Sequence, residues 1–191
     1  MVMIQIAENL ARRWMPGRRQ GPAKRFAWEH PQDLVQVLTT EMPVEVTPAE
    51  QEHRIAIAWL HDILEDGRKE DGREVTMHDL FDAAIPEEVV EEVLAMTQAK
   101  FLNRDGEIVQ EPKLKYLERL KEKSVQAKVV KCVDRICNLR EGRTTFKDRR
   151  WIRYVGETYY FIFPLTEDLP EGAERVWLQA ELVKAVQART L

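Results

Sequence analysis

One short segment of the sequence carries the residues best suited to chemistry. Residues 56–66 read AIAWLHDILED, and the first half of this stretch is apolar around nearly the whole circumference of a helix. That pattern predicts a buried helix. A buried histidine or aspartate needs a partner, because burying an unpaired polar or charged group is energetically costly. A metal ion would accept the lone pair of His61 and neutralise Asp62, so the segment suggests a metal-ligating pair.

Two further acids follow at helical spacing. Glu65 lies four residues after His61, and Asp66 lies four after Asp62, so both return to the side of the proposed ligands. Carboxylates in that position could hold or deprotonate a water molecule on the metal. The same residues are compatible with the solvated end of a helix that carries one hydrogen-bonded histidine. The segment alone leaves both interpretations open.

A second candidate ligand, Asp134, lies in residues 131–140, which read KCVDRICNLR. On a helical wheel Lys131, Asp134, Arg135 and Asn138 form one polar stripe opposite an apolar face. Periodicity alone favours a surface helix with a solvated polar side. The stripe becomes part of a site only if it faces the helix of His61.

A third candidate, His30, directly precedes Pro31. Proline fixes the backbone in a conformation that suits the start of a helix. This predicts that His30 is held rigidly at a helix N-terminus, where it could ligate a metal. The alternative is an ordinary turn residue.

The N-terminal part of the chain is locally basic. It contains six cations with no acid among them: Arg12, Arg13, Arg18, Arg19, Lys24 and Arg25. Near an acidic metal cluster, such cations would offset the charge of a phosphate-rich substrate, and arginine can pair with phosphate oxygens or stack on a base. Lys131 and Arg140 could do the same from the segment of Asp134. The alternative is a solvated basic surface.

The elements that must position these residues are predicted to be helices almost throughout. Apolar periodicity, proline and capping residues predict helices over residues 4–14, 31–40, 48–65, 76–84, 86–98, 113–122, 124–139, 149–163 and 171–188. Residues 103–112 are predicted to form a loop, and no strand-like alternation extends beyond a few residues. The predicted fold is all-α, a single-domain orthogonal helix bundle over residues 1–191.

Composition excludes several classes of partner. A net charge of −4 argues against a general DNA, RNA or membrane binder, and no apolar run approaches the roughly 20 residues of a membrane span. Cys132 and Cys137 lie in an apolar pattern, which fits reduced core residues of a cytoplasmic protein. No pattern in the sequence indicates an oligomeric state.

Together these motifs resemble one family. The order of His30, His61-Asp62 and Asp134 resembles the ligand set of the HD phosphohydrolases. HDILED is similar to the HD-x-x-ED signature of the hydrolase domain of Rel/SpoT alarmone enzymes, and DRICNLR is similar to their DR-x-x-N-x-R segment. His30-Pro31 matches the HP step of that family. The resemblance spans roughly residues 11–165, is strongest to the stand-alone small alarmone hydrolases, and treats the last helix, 171–188, as an appended element.

The resemblance implies a site and an activity. His30, His61, Asp62 and Asp134 would ligate one metal, identified as Mn²⁺, and Glu65 and Asp66 would activate the attacking water. The substrate would be a small nucleotide, contacted by residues among Arg18, Arg19, Lys24, Arg25, Lys131, Asn138 and Arg140. The implied reaction is the hydrolysis of ppGpp to GDP and pyrophosphate. Two alternatives stay open: hydrolysis of another small nucleotide, and a nucleotide-binding module without activity.

Departures from the family pattern surround the implied nucleotide pocket. Ala27 stands where the family usually has tyrosine, an insertion falls around residues 44–51, and residues 68–73 form a highly charged loop. These differences leave the implied metal ligands untouched. They therefore bear on the substrate more than on the chemistry.

Overall fold

The computed structural model describes residues 2–19, 24–102 and 107–189, and most of these residues are helical. The helices are α1 (Val2–Trp14), α2 (Glu29–Gln36), α3 (Pro48–Leu60), α4 (Ile63–Asp66), α5 (Met77–Asp82), α6 (Glu87–Met96), α7 (Lys113–Arg119), α8 (Val125–Thr145), α9 (Asp148–Glu157), α10 (Phe163–Glu167) and α11 (Ala173–Gln187). Turns of π-helix at Val37–Glu41 and Thr158–Ile162 extend α2 and α9, and a 3₁₀ turn at Leu120–Glu122 follows α7. The prediction of an all-α fold is confirmed.

Side-chain caps fix where the central helices begin. Thr47 caps α3 with a capping box, in which its hydroxyl accepts from the Glu50 N–H and the Glu50 carboxylate accepts from the Thr47 N–H. Ser124 caps α8 by accepting from the N–H of Ala127 at 3.1 Å. Such caps satisfy backbone donors that a helix start leaves free. Helix α3, which leads to His61, and helix α8, which carries Asp134, therefore start at defined residues.

The core lies around α3 and α8. The second half of α3 is buried on all sides, with Ile57, Ala58 and Leu60 fully inaccessible, as its apolar sequence predicted. Helix α8 packs against α2, α3, α6, α10 and α11. This arrangement holds the polar stripe of α8 at a fixed place in the fold.

The last helix is part of this core. Leu178 and Leu182 of α11 are fully buried in the main apolar cluster, and Glu174 forms a buried ion pair with Arg54 of α3 at 2.8 Å. Helix α11 therefore packs as part of the bundle, and its status as an element appended to the family-like part of the chain stays a prediction. The single-domain organisation of residues 1–191 stays a prediction.

Two predicted helix boundaries differ at the residues of interest. The helix predicted over residues 48–65 is interrupted: α3 ends at Leu60, and α4 starts only after Asp62, whose backbone has φ −99° and ψ −2°. These angles lie in the sparsely allowed bridge region, where functional residues often occur. Helix α2 begins before its proline, so His30 lies in its first turn instead of ahead of it.

A small hairpin replaces part of the predicted loop. Strand β1 (Lys100–Leu102) pairs antiparallel with β2 (Ile108–Gln110). Each strand is too short for the alternation of apolar and polar residues that predicts a strand to be recognised in the sequence. Residues 103–106, which the loop prediction also covered, lie outside the described residues. None of the described helices is both long and apolar enough to span a membrane.

Candidate metal centre and active site

Three buried side chains from different helices converge at one point. His30 of α2, His61 at the end of α3 and Asp134 in the middle of α8 each offer a ligand atom, and these atoms lie within 4.8 Å of one another. His30 Nε2 lies 3.0 Å from Asp134 Oδ1, and the two imidazole rings meet edge to face with centroids 5.3 Å apart. The polar stripe of α8 thus faces the helix of His61.

The tautomer of His61 can be inferred from its surroundings. Its Nδ1 lies 2.8 Å from the carbonyl oxygen of Ala58, so Nδ1 is the donor. Nε2 then points at two carboxylates, 3.1 Å from Asp62 Oδ2 and 3.8 Å from Asp134 Oδ1. Within the described residues this buried nitrogen makes no hydrogen bond. A lone pair facing carboxylates requires a cation or a proton between them, so the donor set fits a metal ion.

The electrostatics of the cluster favour a bound positive charge. Burial alone would lower the pKa of His61, but the carboxylates of Asp62 and Asp134 raise it to about 9. Burial would raise the pKa of Asp62, but the charge of His61 lowers it to about 2. The pKa of Asp134 is well below its ordinary value despite burial, chiefly because of Lys131. Each shift stabilises the charged form of its group.

The interruption between α3 and α4 explains how two consecutive residues reach one site. Adjacent side chains on a regular helix diverge by about 100°, but the turn at Asp62 brings its carboxylate within 3.1 Å of the His61 ring. The Asp62 side chain is 28% exposed, whereas that of His61 is 1% exposed. Asp62 therefore lies at the mouth of the cluster and not within it.

Asp134 is held in place by its own helix. Lys131 Nζ donates to Asp134 Oδ2 at 2.8 Å, and Asn138 Nδ2 donates to Oδ1. Lys131 lies three residues before Asp134 and Asn138 lies four residues after it, and residues at these spacings share one face of a helix. Outer contacts of this kind orient a ligand and tune its basicity.

The two predicted catalytic acids have different environments. The Asp66 side chain lines the cavity beside the cluster, whereas Glu65 accepts a 2.7 Å hydrogen bond from the backbone N–H of Gln98 through Oε1. Burial is the main cause that raises the pKa of both carboxyls, and the negative charge of Asp62 adds to it. Acids with raised pKa values suit proton transfer near neutral pH.

A cavity of about 520 Å³ opens beside these residues. Four cations and four acids line it: Arg18, Arg19, Lys131 and Arg150, and Asp62, Asp66, Asp134 and Glu141. The other lining residues are Gly17, Ala27, Asn138, Phe146 and Tyr154. Arg19 donates to Asn138 Oδ1 at 3.0 Å and pairs with Glu141 at 3.2 Å.

Three of the predicted substrate-binding residues do not line this cavity. Arg140 pairs with Glu41 of the π-helical turn after α2 at 2.9 Å and with Glu181 of α11 at 2.8 Å. Arg25 forms an ion pair with Asp33 at 2.6 Å, and Lys24 is exposed. Arg18, Arg19, Lys131 and Asn138 are the predicted contacts that the structure brings together.

The sequence analysis missed Glu141, Phe146 and Arg150. Glu141 lies seven residues after Asp134, nearly two full turns, so one more turn of the helical wheel would have placed it on the same stripe. Phe146 folds back over α8 beside Gly142, where a Cβ atom would approach its ring to 2.7 Å. Arg150 stacks on Phe146, with its guanidinium carbon 3.9 Å from the ring centre. No periodicity links these last two residues to the cluster.

Comparisons with known proteins bear on the fold. No protein-family model and no curated protein sequence matches the chain. Among solved structures, the chain is similar to a metazoan ortholog of SpoT that hydrolyses ppGpp and plays a role in starvation responses. The TM-score is 0.72 at 19% sequence identity, over 97% of this chain and 94% of that one. The chain has the fold of this SpoT ortholog. Because the match covers nearly the whole chain, the likeness extends beyond residues 11–165.

Proposed function

We propose that this protein is a metal-dependent phosphohydrolase that removes the 3′-pyrophosphate of ppGpp. The observation that carries the proposal is the buried cluster of His30, His61 and Asp134, with a mixed cationic and acidic cavity beside it. Sharing the fold of a protein that hydrolyses ppGpp supports this substrate. The cations offset the charge of a phosphate-rich ligand close to the acids.

His30, His61, Asp62 and Asp134 would hold one divalent ion. Two imidazoles and two carboxylates leave positions open on an octahedral ion, which suits Mn²⁺ better than a closed tetrahedral zinc site. When bound, such an ion supplies positive charge that stabilises phosphate oxygens and makes a nearby water more acidic. Lys131 and Asn138 donate to the Asp134 carboxylate and would keep it oriented when an ion is bound.

Glu65 and Asp66 are the proposed proton acceptors. A water oxygen forms a bond to the phosphorus next to the ribose 3′-oxygen, the bond between that oxygen and the phosphorus breaks, and pyrophosphate departs. One proton of the water passes to a carboxylate, and that carboxyl group then returns it to the departing 3′-oxygen, so the step balances. Asp66 lines the cavity, and Glu65 is anchored beside it through the hydrogen bond from the backbone N–H of Gln98 to its Oε1, which supports the assignment of both carboxylates to this role.

Arg18, Arg19, Lys131 and Arg150 are the proposed contacts for substrate phosphates. Within the described residues, Arg18 and Arg150 form no ion pair with a carboxylate, and each stacks on an aromatic ring, at 3.6 Å and 3.9 Å. A guanidinium beside an aromatic ring can still donate to phosphate oxygens through its remaining N–H groups; in Arg18 one of them already donates to the Lys24 carbonyl at 2.7 Å.

We also propose a cytoplasmic location. Both cysteines are buried and unpaired. Free thiols are the usual state in a reducing compartment.

A nucleotide panel tests the function. Purified protein with Mn²⁺ is incubated with ppGpp and with simple 5′-nucleotides, and the products are identified by chromatography. We expect ppGpp to yield GDP and pyrophosphate. Orthophosphate as the first product, or consumption of 5′-nucleotides but not of ppGpp, would contradict the proposal.

A further inference from the structure

Glu141 lies at the far end of the polar stripe of α8. Lys131, Asp134, Asn138 and Glu141 follow one another at spacings of three and four residues, and all four line the cavity. Seven residues separate Glu141 from Asp134, which is about 10 Å along a helix axis. That span is comparable with the reach of a nucleoside from its 3′-phosphate to the far edge of its base.

A carboxylate at this place opposes the binding of phosphates. Glu141 would repel a polyanionic ligand, and within the described residues it has no hydrogen bond to the His30, His61 and Asp134 cluster. Its ion-pair partner is Arg19, and the side chains of Glu141 and Arg19 are 22% and 24% exposed. An ionised carboxylate can only accept hydrogen bonds, so the ligand group that suits it is a donor.

We propose that Glu141 selects the base of the substrate, an inference that rests on the proposed function. Guanine presents two adjacent N–H donors on one edge, which the two oxygens of a carboxylate accept together. Adenine presents an acceptor beside its amino group on that edge and would leave one carboxylate oxygen facing a lone pair.

The surroundings of Glu141 fit a flat, partly charged ligand. Phe146, with Arg150 stacked on it, provides a planar surface at the same end of the cavity. Arg19 bridges Glu141 and Asn138, and its guanidinium lies against one of the two carboxylate oxygens, Oε2. The substrate phosphates are expected to compete for Arg19 and thereby free Glu141 for the base.

The test compares the binding of GDP and ADP, which differ in the base and share the diphosphate. Calorimetry on the Mn²⁺-loaded protein should show GDP bound at least ~10-fold more tightly, a ratio consistent with one or two hydrogen bonds to a charged acceptor. Glu141→Gln should lower GDP affinity by ~10-fold and raise ADP affinity, because an amide offers one acceptor and one donor. Inosine diphosphate, which lacks the amino donor, should bind the wild-type protein with intermediate affinity.

Glu118→Gln is the matched control, since Glu118 is exposed on α7 and does not line the cavity. It should leave the GDP/ADP ratio unchanged. Glu141→Asp, which keeps the charge and withdraws the oxygens, should also lose preference for GDP, and its melting temperature shows whether it folds.

Equal affinities for GDP and ADP in the wild-type protein, or an equal loss for both in Glu141→Gln, would overturn the inference and leave Glu141 as a partner of Arg19. The proposed function fails on a separate observation, the absence of pyrophosphate release from ppGpp. The binding ratio decides the role of Glu141 whatever that assay shows.

Discussion

The floor and the rim of the cavity differ in how clearly their residues can be predicted from the sequence. By the floor we mean the buried cluster of His30, His61 and Asp134 beside the cavity, all nearly inaccessible to solvent, of which only Asp134 lines the cavity itself. The rim includes Arg18, Arg19 and Arg150, which remain partly exposed. A polar residue within an apolar segment is predicted to be buried and therefore to need a partner, so the sequence marks it as a candidate ligand. A cation near the surface can be solvated by water as easily as it can bind a ligand, so the sequence does not mark it.

The largest expected effect tests whether the floor is a metal site. His61→Ala removes one of the converging ligand atoms and should eliminate bound metal and hydrolysis together. Metal analysis of the purified protein measures this directly, with close to one ion per chain expected for the wild type. Chelation should also lower the melting temperature of the wild type, because it exposes the repulsion among buried carboxylates.

His78→Ala serves as the control for that experiment, because His78 is exposed and outside the cluster. It should keep the metal and the activity. Full metal content in His61→Ala would refute the assignment of the floor.

A second prediction separates binding from chemistry at the edge of the floor. Glu65→Gln should retain the metal and the nucleotide affinity, while kcat falls by ~10²-fold or more through the loss of a proton acceptor. The amide oxygen can still accept from the backbone N–H of Gln98, so the local structure should persist. Metal analysis and steady-state kinetics on the same preparation distinguish the roles. If this variant loses its metal, Glu65 is a ligand.

A third prediction concerns the rim. Replacing Arg18 and Arg19 with alanine should raise KM by ~10-fold or more and change kcat less, because these cations bind phosphate away from the reacting bond. Arg140→Ala is the comparison, since Arg140 pairs with Glu41 and Glu181 and does not line the cavity. A KM effect in Arg140→Ala as large as that of the Arg18 and Arg19 variant would mean that the rim has been assigned to the wrong residues.

How far the sequence predicts this site depends on which physical signal each residue carries. Helical geometry put Asp134 and Asn138 on one polar face, but only the family resemblance gave them roles, and the same geometry puts Arg140 on a different face. Six residues after Asp134, Arg140 is rotated by about 120° from the stripe, whereas Glu141 is rotated by only about 20°. The substrate-binding prediction for Arg140 rested on its charge and ignored this rotation.

Other features of the fold leave no local trace in the sequence. The break at Asp62 occurs without proline or glycine at that point, and the modest helix propensity of His61 and Asp62 does not by itself mark where a helix stops. Phe146 and Arg150 join the cavity because the chain turns between α8 and α9, and helical periodicity does not extend across that turn. The helices themselves were predictable because caps and apolar periods are local signals.

The smallest expected effect concerns Asp79, which is neither in the floor nor in the rim and so provides a reference for both regions. Asp79 caps α5 from inside a capping box with Thr76 and pairs with Arg73 and Lys69, which hold its pKa well below its ordinary value. Asp79→Ala should lower the free energy of unfolding by about 1 to 2 kcal/mol at pH 7. The pKa of Asp79 is lower in the folded protein than in the unfolded chain, where it is about 4. The stabilisation is therefore fully present above pH 4 and is lost as the pH falls through the pKa of Asp79 in the folded protein. The stability gap between wild type and variant, measured by denaturant unfolding, should therefore narrow below about pH 4, while metal content and kcat at pH 7 stay unchanged. A gap that widened in acid, or a loss of metal in Asp79→Ala, would show that this loop is coupled to the floor of the cavity.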